Sequence, residues 1–366
     1  MKAVDAARIF HDWSYSEGLL TELAAPTTSS PAEMALIQPT TDLGRALLRS
    51  KQVQAIAFNA PRSEIIVFTK RAAPTNKKQL QALPSAVDDI QIRYRQGVQH
   101  PVDALPVTPF GGPTYVIRHA GQADRYCCGS SISVGNAREA GTMGCLVRDA
   151  QGALFGLTNN HVSGSCSFAG VGLPILAPGV VDVVPGCIPP FTIGFHANSL
   201  PFLAGSADNV NPKHNLDAAM FRVRDEGLVT SFQRADYDTP ANAAPLVADL
   251  EVEKVGRTTG HTRGKVIGEM FGACGIPYTA ALYGFSGVVS FEPVFTIAGH
   301  GGLFSDAGDS GSLITTVDQN RQRYAVGIVI GGRVDGSAAG GKTTIALPIS
   351  PILQGLGVSL VSGHNT

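Results

Sequence analysis

From about residue 112 onward the apolar runs in this chain are short. TMGCLVRD, ALFGLTN, DAAMFRV, GKVIGEMFG, SGVVSFEPVFTI, SLITTV, YAVGIVIGG and TTIALPI are separated by stretches rich in Gly, Pro, Asn or Asp. Runs of this length, rich in Val, Ile, Thr and Phe, read as strands, and the punctuation turns the chain back after each one. Many such strands in succession predict an all-β barrel or sandwich. Composition agrees: 42 Gly and 23 Pro among 366 residues supply turns, and a 44% hydrophobic content can fill large cores. SPILQGLG, near the end, reads as a short helix.

Residues 1–110 follow a different rhythm. A helix is expected over 33–50, with Pro39 interrupting its middle, followed by the β-branched run Ile65, Ile66, Val67 and Phe68. KRAAPTNKKQLQALPSAV reads as a turn and short helix, and IQIRYRQG alternates like a strand. Strand, helix, strand suggests a small, separately folded α/β domain, ending in the loop HPVDALPVTPFGGP. Lys70, Arg71, Lys77 and Lys78 form a basic cluster there, read as a solvated loop that could also dock a protein partner. In 111–366 the stretch 226–250 reads as a connection between two halves, and no internal repeat is evident.

Charge and cysteine usage narrow the function. Lys and Arg total 28 against 29 Asp and Glu, a net charge of −1, whereas nucleic-acid binders usually carry a basic excess. No segment reaches the roughly 18 uninterrupted apolar residues of a membrane span. MKAVDAARIFHDWSYSEGLLTELAAP is broken by charges and lacks the apolar stretch of a secretory signal, so a cytoplasmic protein is expected. Cys127, Cys128, Cys145, Cys166, Cys187 and Cys274 contain no Cys-x-x-Cys and are expected as thiols, without a metal or other cofactor. Residues 336–343, GSAAGGKT, fit a phosphate-loop pattern, but a phosphate loop must open a helix and TTIALPI is strand-like. A glycine-rich hairpin is expected instead. His214 reads as a loop residue.

Three local features carry chemistry. Gly308-Asp309-Ser310-Gly311-Ser312 precedes the strand LITTV, and glycines around a serine allow a tight turn exposing its hydroxyl and nearby backbone N–H groups. His161 ends an apolar strand in LTNNHV, and Asp217 opens one in NLDAAMF. Singly these are an ordinary turn, a structural histidine and a cap. Together they run His, Asp, Ser, one of the known orders of a nucleophile–base–orienter triad.

With these motifs, and with GTMGCLVRDAQG, PILAPGVVD and KVGRTTGHTRGKV, the chain resembles the trypsin-like serine peptidases over roughly 110–362. The likeness is greatest to the bacterial and plant branch with an amino-terminal extension. It implies two six-stranded antiparallel barrels, about 112–225 and 250–349, with the site between them and a helix after. The implied activity is that of an intracellular serine endopeptidase working through an acyl-enzyme on a protein or peptide substrate. Ser310 would be the nucleophile, His161 the base and Asp217 its orienter, with the N–H groups of Gly308 and Ser310 as oxyanion hole. Ser312 replaces the family's commoner Gly. Phe304 would lie at the base of the main pocket, where Arg/Lys-selecting members carry Asp, implying a small or apolar P1 residue. Ile330 and Gly332 would pair with substrate backbone. The buried Asp309 needs a cation, and Lys254, or failing it Arg257, is expected to supply one. The rival reading is a catalytically idle barrel that binds peptides or scaffolds partners.

Overall fold

The computed structural model describes residues 1–20, 28–74, 76–99, 116–117, 124–183, 192–205 and 209–366. Cys187 and the loop 100–113 lie outside them. The fold is mostly β, as expected: a closed six-stranded barrel, a second, open one, and a small α/β unit in front.

The closed barrel is the later in sequence. Gly260–Met270, Glu251–Gly256, Leu313–Val317, Arg323–Val334, Lys342–Pro348 and Phe295–Gly299 pair antiparallel in that order. Gly264 against Gly299 then closes the ring. Inward side chains alternate along the strands, and Val252, Val266, Phe295, Ile297, Ile314, Val326 and Phe304 fill the interior. SGVVSFEPVFTI is two strands, Phe285–Phe291 and Phe295–Gly299, split at Pro293, which has no N–H to give a ladder. The first of these pairs with Cys274–Ala280 as a separate hairpin.

The earlier barrel is an open eight-stranded sheet. Its strands include Ser131–Val134, Cys145–Asp149, Leu154–Thr158, Pro174–Leu176, Thr192–Ser199 and Ala219–Val223. Val358–Leu360 returns to pair with Cys145–Asp149, after the helix Ile349–Leu356. The stretch read as a connection holds a strand, Val229–Gln233, which pairs in parallel with Arg125–Cys128. Between the barrels lies one apolar cluster that includes Cys145, Leu157, Met220, Tyr278, Leu313, Ile330 and Ile349.

In the leading region Pro39 divides the expected 33–50 helix into Pro31–Met34 and Asp42–Lys51, with Ile37–Gln38 between them as a strand. Glu64–Thr69 and Ile90–Gln96 pair in parallel across the helix Lys77–Ala82, forming a strand–helix–strand unit. A first helix, Ala3–Ser16, lays Ala3, Ala6, Ala7, Phe10 and Trp13 on the sheet. This unit shares its sheet with the closed barrel, for Ala57 pairs with Met270 and Phe58 with Glu269. Asn59 Nδ2 donates to the Ile267 carbonyl at 3.0 Å, and Arg62 meets Asp249 at 2.7 Å. Ala57, Ile66 and Phe68 join the cluster between the barrels, and Phe68 covers the buried Arg333 guanidinium at 4.8 Å. Deleting residues 1–99 exposes that surface and an unpaired strand end. The shortened chain is therefore expected to melt several degrees lower or to aggregate, as read by thermal unfolding and light scattering.

Among the described residues no helix is long and apolar enough to cross a membrane. Residues 336–341 form a turn that leads into the strand Lys342–Pro348, so the phosphate-loop match opens no helix.

Candidate active site

His161 sits on a single helical turn, Asn160–Ser163, directly after the strand Leu154–Thr158. Asp217 stands just before Ala219–Val223, the neighbouring strand, so the register of these two strands sets the histidine beside the carboxylate. His161 Nδ1 lies 2.6 Å from Asp217 Oδ2, and the His161 backbone N–H donates to Oδ1 at 3.1 Å. Asn159 Nδ2 donates to the Asp217 carbonyl at 2.7 Å, and the Tyr278 hydroxyl donates to Oδ2 at 3.0 Å. A carboxylate only accepts, so Nδ1 carries the proton and Nε2 keeps its lone pair.

Ser310 comes from the closed barrel, on a loop docked against the other one. The Thr142 N–H donates to the Ser310 carbonyl at 2.8 Å. Gly311, at φ +93°, takes a left-handed conformation, and a Cβ there would lie 2.3 Å from Thr158 Oγ1. Since Thr158 ends the strand that leads to His161, the serine loop and the histidine turn rest on the same residues. Ser310 itself is half-buried, whereas His161 and Asp217 are buried.

The backbone of this loop is aimed by hydroxyl groups. Thr258 Oγ1 donates to the Ala307 carbonyl at 2.6 Å, and Ser312 Oγ donates to the Asp309 carbonyl at 2.6 Å. In a trans peptide the next N–H points opposite to the carbonyl. Gly308 and Ser310 N–H therefore face away from those two hydroxyls. The N–H groups of Asp309, Gly311 and Ser312 are taken by Asp306, Val329 and Asp309 carbonyls. Among the described residues, those of Gly308 and Ser310 have no protein acceptor.

Asp309 is wholly buried beneath the loop. Lys254 Nζ lies 3.0 Å from its Oδ2, with Thr259 Oγ1 at 2.7 Å and the Asp306 N–H at 3.0 Å. Its Oδ1 accepts the N–H groups of Thr258 at 2.7 Å and Thr259 at 3.2 Å. Burial alone would push this carboxyl up; Lys254 and these hydrogen bonds outweigh it and hold it below the usual carboxylate range. Arg257, the other cation offered by the sequence, forms a pair with Asp182 instead, through Nε at 2.7 Å and Nη2. Its backbone N–H donates to Thr142 Oγ1 at 3.0 Å, beneath the serine loop.

Gly256 makes room for the carboxylate. A Cβ there would stand 2.4 Å from Asp309 Oδ1, 2.6 Å from Ser312 Oγ and 2.8 Å from Lys254 Nζ. Gly256→Ala is expected to lower the melting temperature, at an overpacking cost of about 1–3 kcal/mol. A thermal melt beside the parent chain checks this.

Of the substrate-pocket residues inferred from the sequence, Phe304 turns its side chain into the core. Phe304 is 1% exposed, with its ring among the core side chains of the closed barrel, so its side chain forms no pocket floor. Thr262 Oγ1 fixes its carbonyl at 2.6 Å. Ile330 is buried in the cluster between the barrels and has only backbone to offer a peptide. Gly332 lies opposite Thr344, and Val98–Gln99 pairs with the next two residues, Arg333 and Val334. The buried thiols lie apart from the serine loop's hydrogen bonds. Burial pushes Cys127 up to about 11 and Cys145 up to about 12. Cys128 and Cys145 are thiols. His214 lies in a short turn, Pro212–His214, and among the described residues no cluster of potential ligands could hold a metal.

Thr142, Thr258, Asp182 and Tyr278 were not singled out from the sequence. Thr142, Asp182 and Thr258 fall within GTMGCLVRDAQG, PILAPGVVD and KVGRTTGHTRGKV, whereas nothing local marks Tyr278.

No family model matches the chain. It is 25% identical over 296 residues to Protein NARROW LEAF 1 of Oryza sativa subsp. japonica, a match covering 73% of this chain and 48% of that protein. The chain thus spans about half the length of the curated relative it matches. Among solved structures it is similar to Thermobifida fusca Protease A, at 18% identity and a TM-score of 0.42, covering 65% of this chain and 98% of that one. It is also similar to a glutamic acid-specific serine protease, at 19% identity and a TM-score of 0.43, covering 64% and 100%. The active form of Rv3671c protease from M. tuberculosis matches at 17% identity and a TM-score of 0.33, covering 73% and 97%. By its own strand order, with the His161 and Asp217 turns of one barrel beside the Ser310 loop of the other, this chain has the mostly β, double-barrel fold of trypsin-like serine proteases.

Proposed function

We infer that the chain is a serine endopeptidase, and the observation that carries this reading is the buried 2.6 Å contact between His161 Nδ1 and Asp217 Oδ2. That contact leaves Nε2 as a base. Ser310 Oγ attacks the scissile carbonyl while His161 takes its proton, and Asp217 stabilises the imidazolium that forms. The N–H groups of Gly308 and Ser310 receive the charge that develops on the carbonyl oxygen. His161 then returns the proton to the leaving amine, and water releases the acyl group by the same steps in reverse.

The substrate class proposed is a protein or peptide, whose backbone would pair with the strand Arg323–Val334 through Gly332. The Cys128 and Cys145 thiols suit a reducing compartment such as the cytoplasm. One observation favours the rival, a barrel that binds peptides without cutting them: the chain's own Val98–Gln99 already pairs with the strand that would hold substrate. Incubation with a fluorophosphonate probe and with a diverse peptide pool, read by mass spectrometry, separates the two. Label on Ser310 and new peptide termini, both absent from Ser310→Ala, support the peptidase. Peptide retention without label or cleavage supports the rival.

A further inference from the structure

The geometry assigns Tyr278 as a positioning residue for the His161–Asp217 pair, an assignment that rests on the peptidase reading for its kinetic consequences. Tyr278 lies on the hairpin Cys274–Ala280/Phe285–Phe291, inserted between two strands of the closed barrel, whereas Asp217 belongs to the open one. Its hydroxyl donates at 3.0 Å to Asp217 Oδ2, the same oxygen that faces His161 Nδ1 at 2.6 Å. Asp217 and Tyr278 are each 0% exposed, so the carboxylate cannot exchange this donor for bulk water.

The tyrosine has little freedom to turn away. Its ring packs edge-on to Phe202 at 4.8 Å and near Phe291 at 6.1 Å, and the His161 ring lies 5.5 Å off. The hairpin is fastened to the stretch of chain leading to Asp217. Asn215 Nδ2 donates to the Ser290 carbonyl at 3.0 Å, the Gly205 N–H donates to the Val288 carbonyl at 3.2 Å, and Ala204 bridges Val289. Ring packing and backbone together deliver a hydroxyl proton to one carboxylate oxygen.

Two consequences follow for the pair. With His161 N–H on Oδ1 and the hydroxyl on Oδ2, both oxygens are held, and the carboxylate cannot rotate away from the imidazole. The hydroxyl also draws negative charge from Oδ2 and so moderates how strongly Asp217 favours the imidazolium. Without it the full charge faces His161, and the histidine becomes more basic; Glu139, the other carboxyl that interacts with His161, is the same in both chains.

The test uses the full-length chain and Tyr278→Phe, which keeps the ring and removes only the hydroxyl. kcat is expected to fall roughly ten- to a hundredfold with KM little changed, since a hydrogen bond to a charged group acts on the geometry of the reacting pair. The acid limb of kcat/KM should move to higher pH, and the His161 titration followed by NMR should move with it. Replacing Tyr278 by a more acidic difluorotyrosine should shift both to lower pH. The assignment is overturned if kcat, the acid limb and the His161 titration stay unchanged in Tyr278→Phe. A uniform loss of kcat with thermal stability, and an unshifted His161, would likewise reduce Tyr278 to packing. The NMR titration needs no turnover: a shifted His161 in a chain that neither cleaves peptides nor takes a phosphonate would uphold the positioning role and sink the peptidase reading.

Discussion

On the proposed peptidase reading, Ser310→Ala should lose about 10⁶ in kcat, and His161→Ala a similar factor, because a nucleophile and its base act as one unit. The reason is visible in the geometry. Asp217 accepts the Nδ1 proton at 2.6 Å, so the only proton His161 can take is on the Nε2 side, away from the carboxylate. On that reading Ser310→Ala removes the hydroxyl that His161 would deprotonate, and His161→Ala leaves that hydroxyl a weak nucleophile. Neither change should unfold the chain. Ser310 is half-buried and its loop is held by backbone bonds, one to Thr142 and one to Val329, while Thr142, Thr258 and Ser312 donate hydroxyls to the same loop. Single-turnover kinetics with an activated ester, beside a thermal melt, checks both halves of the expectation. Near-native turnover in either variant would mean that the chemistry lies elsewhere.

Lys254→Met should damage catalysis and stability together, by separable routes. It leaves the Asp309 carboxylate buried with neutral donors only, and removing one partner of a buried pair costs about 3–5 kcal/mol. Asp309 also sits between the peptides of Gly308 and Ser310, so its movement would cost an oxyanion donor, worth about 10²–10³ in kcat. KM should change less, because that donor acts chiefly on the transition state. The pH dependence carries a sign. Asp309 is held below the ordinary carboxylate range, so its stabilising contribution is present at neutral pH and lost as pH falls through its lowered value. Without Lys254 that value rises, and acid unfolding should begin at higher pH than in the parent chain. Lys254→Met combined with Asp309→Asn should recover part of the stability, since the lone charge is gone, without recovering kcat. A Lys254→Met chain with unchanged kcat would show that the pair does not support the hole.

Much of this architecture can be read from short-range signals. The barrel strands announce themselves by length and by Gly and Pro punctuation, and Pro39 marks the break in the leading helix. What escapes depends on partners far along the chain. In Ala3–Ser16 the residues Ala3, Ala6, Ala7, Phe10 and Trp13 recur at helical spacing, but nothing local shows that His11, Asp12 and Ser14 beside them are buried too; Asp12 Oδ2 accepts the Ser29 N–H at 2.9 Å. Val229–Gln233 looks like connection because its partner, Arg125–Cys128, lies about a hundred residues earlier. At the site, residue types and order single out His161, Asp217 and Ser310, whereas the sequence offers Asp309 Lys254 first and Arg257 as the alternative partner. Only the fold separates them, by placing Asp182 within reach of Arg257. Tyr278 is one aromatic residue in an alternating strand, CGIPYTA, and its proximity to Asp217 exists only once the hairpin has folded back.

Two of the long-range seams of the sheets bear on how the chain can be made. Val53–Asn59 must wait for Gly260–Met270, and Cys145–Asp149 for Val358–Leu360, and each pairing joins segments more than half the chain apart. Translation delivers residues at about 5–20 per second, usually letting a leading domain fold first. Here the α/β unit leaves the ribosome with an open sheet edge, and the open barrel lacks a strand until both barrels have been synthesised. Contacts of such separation also slow folding once the chain is free. The Ser310 loop is therefore assembled late, and a nascent chain with His161, Asp217 and Ser310 already translated still lacks the strand that completes the open barrel.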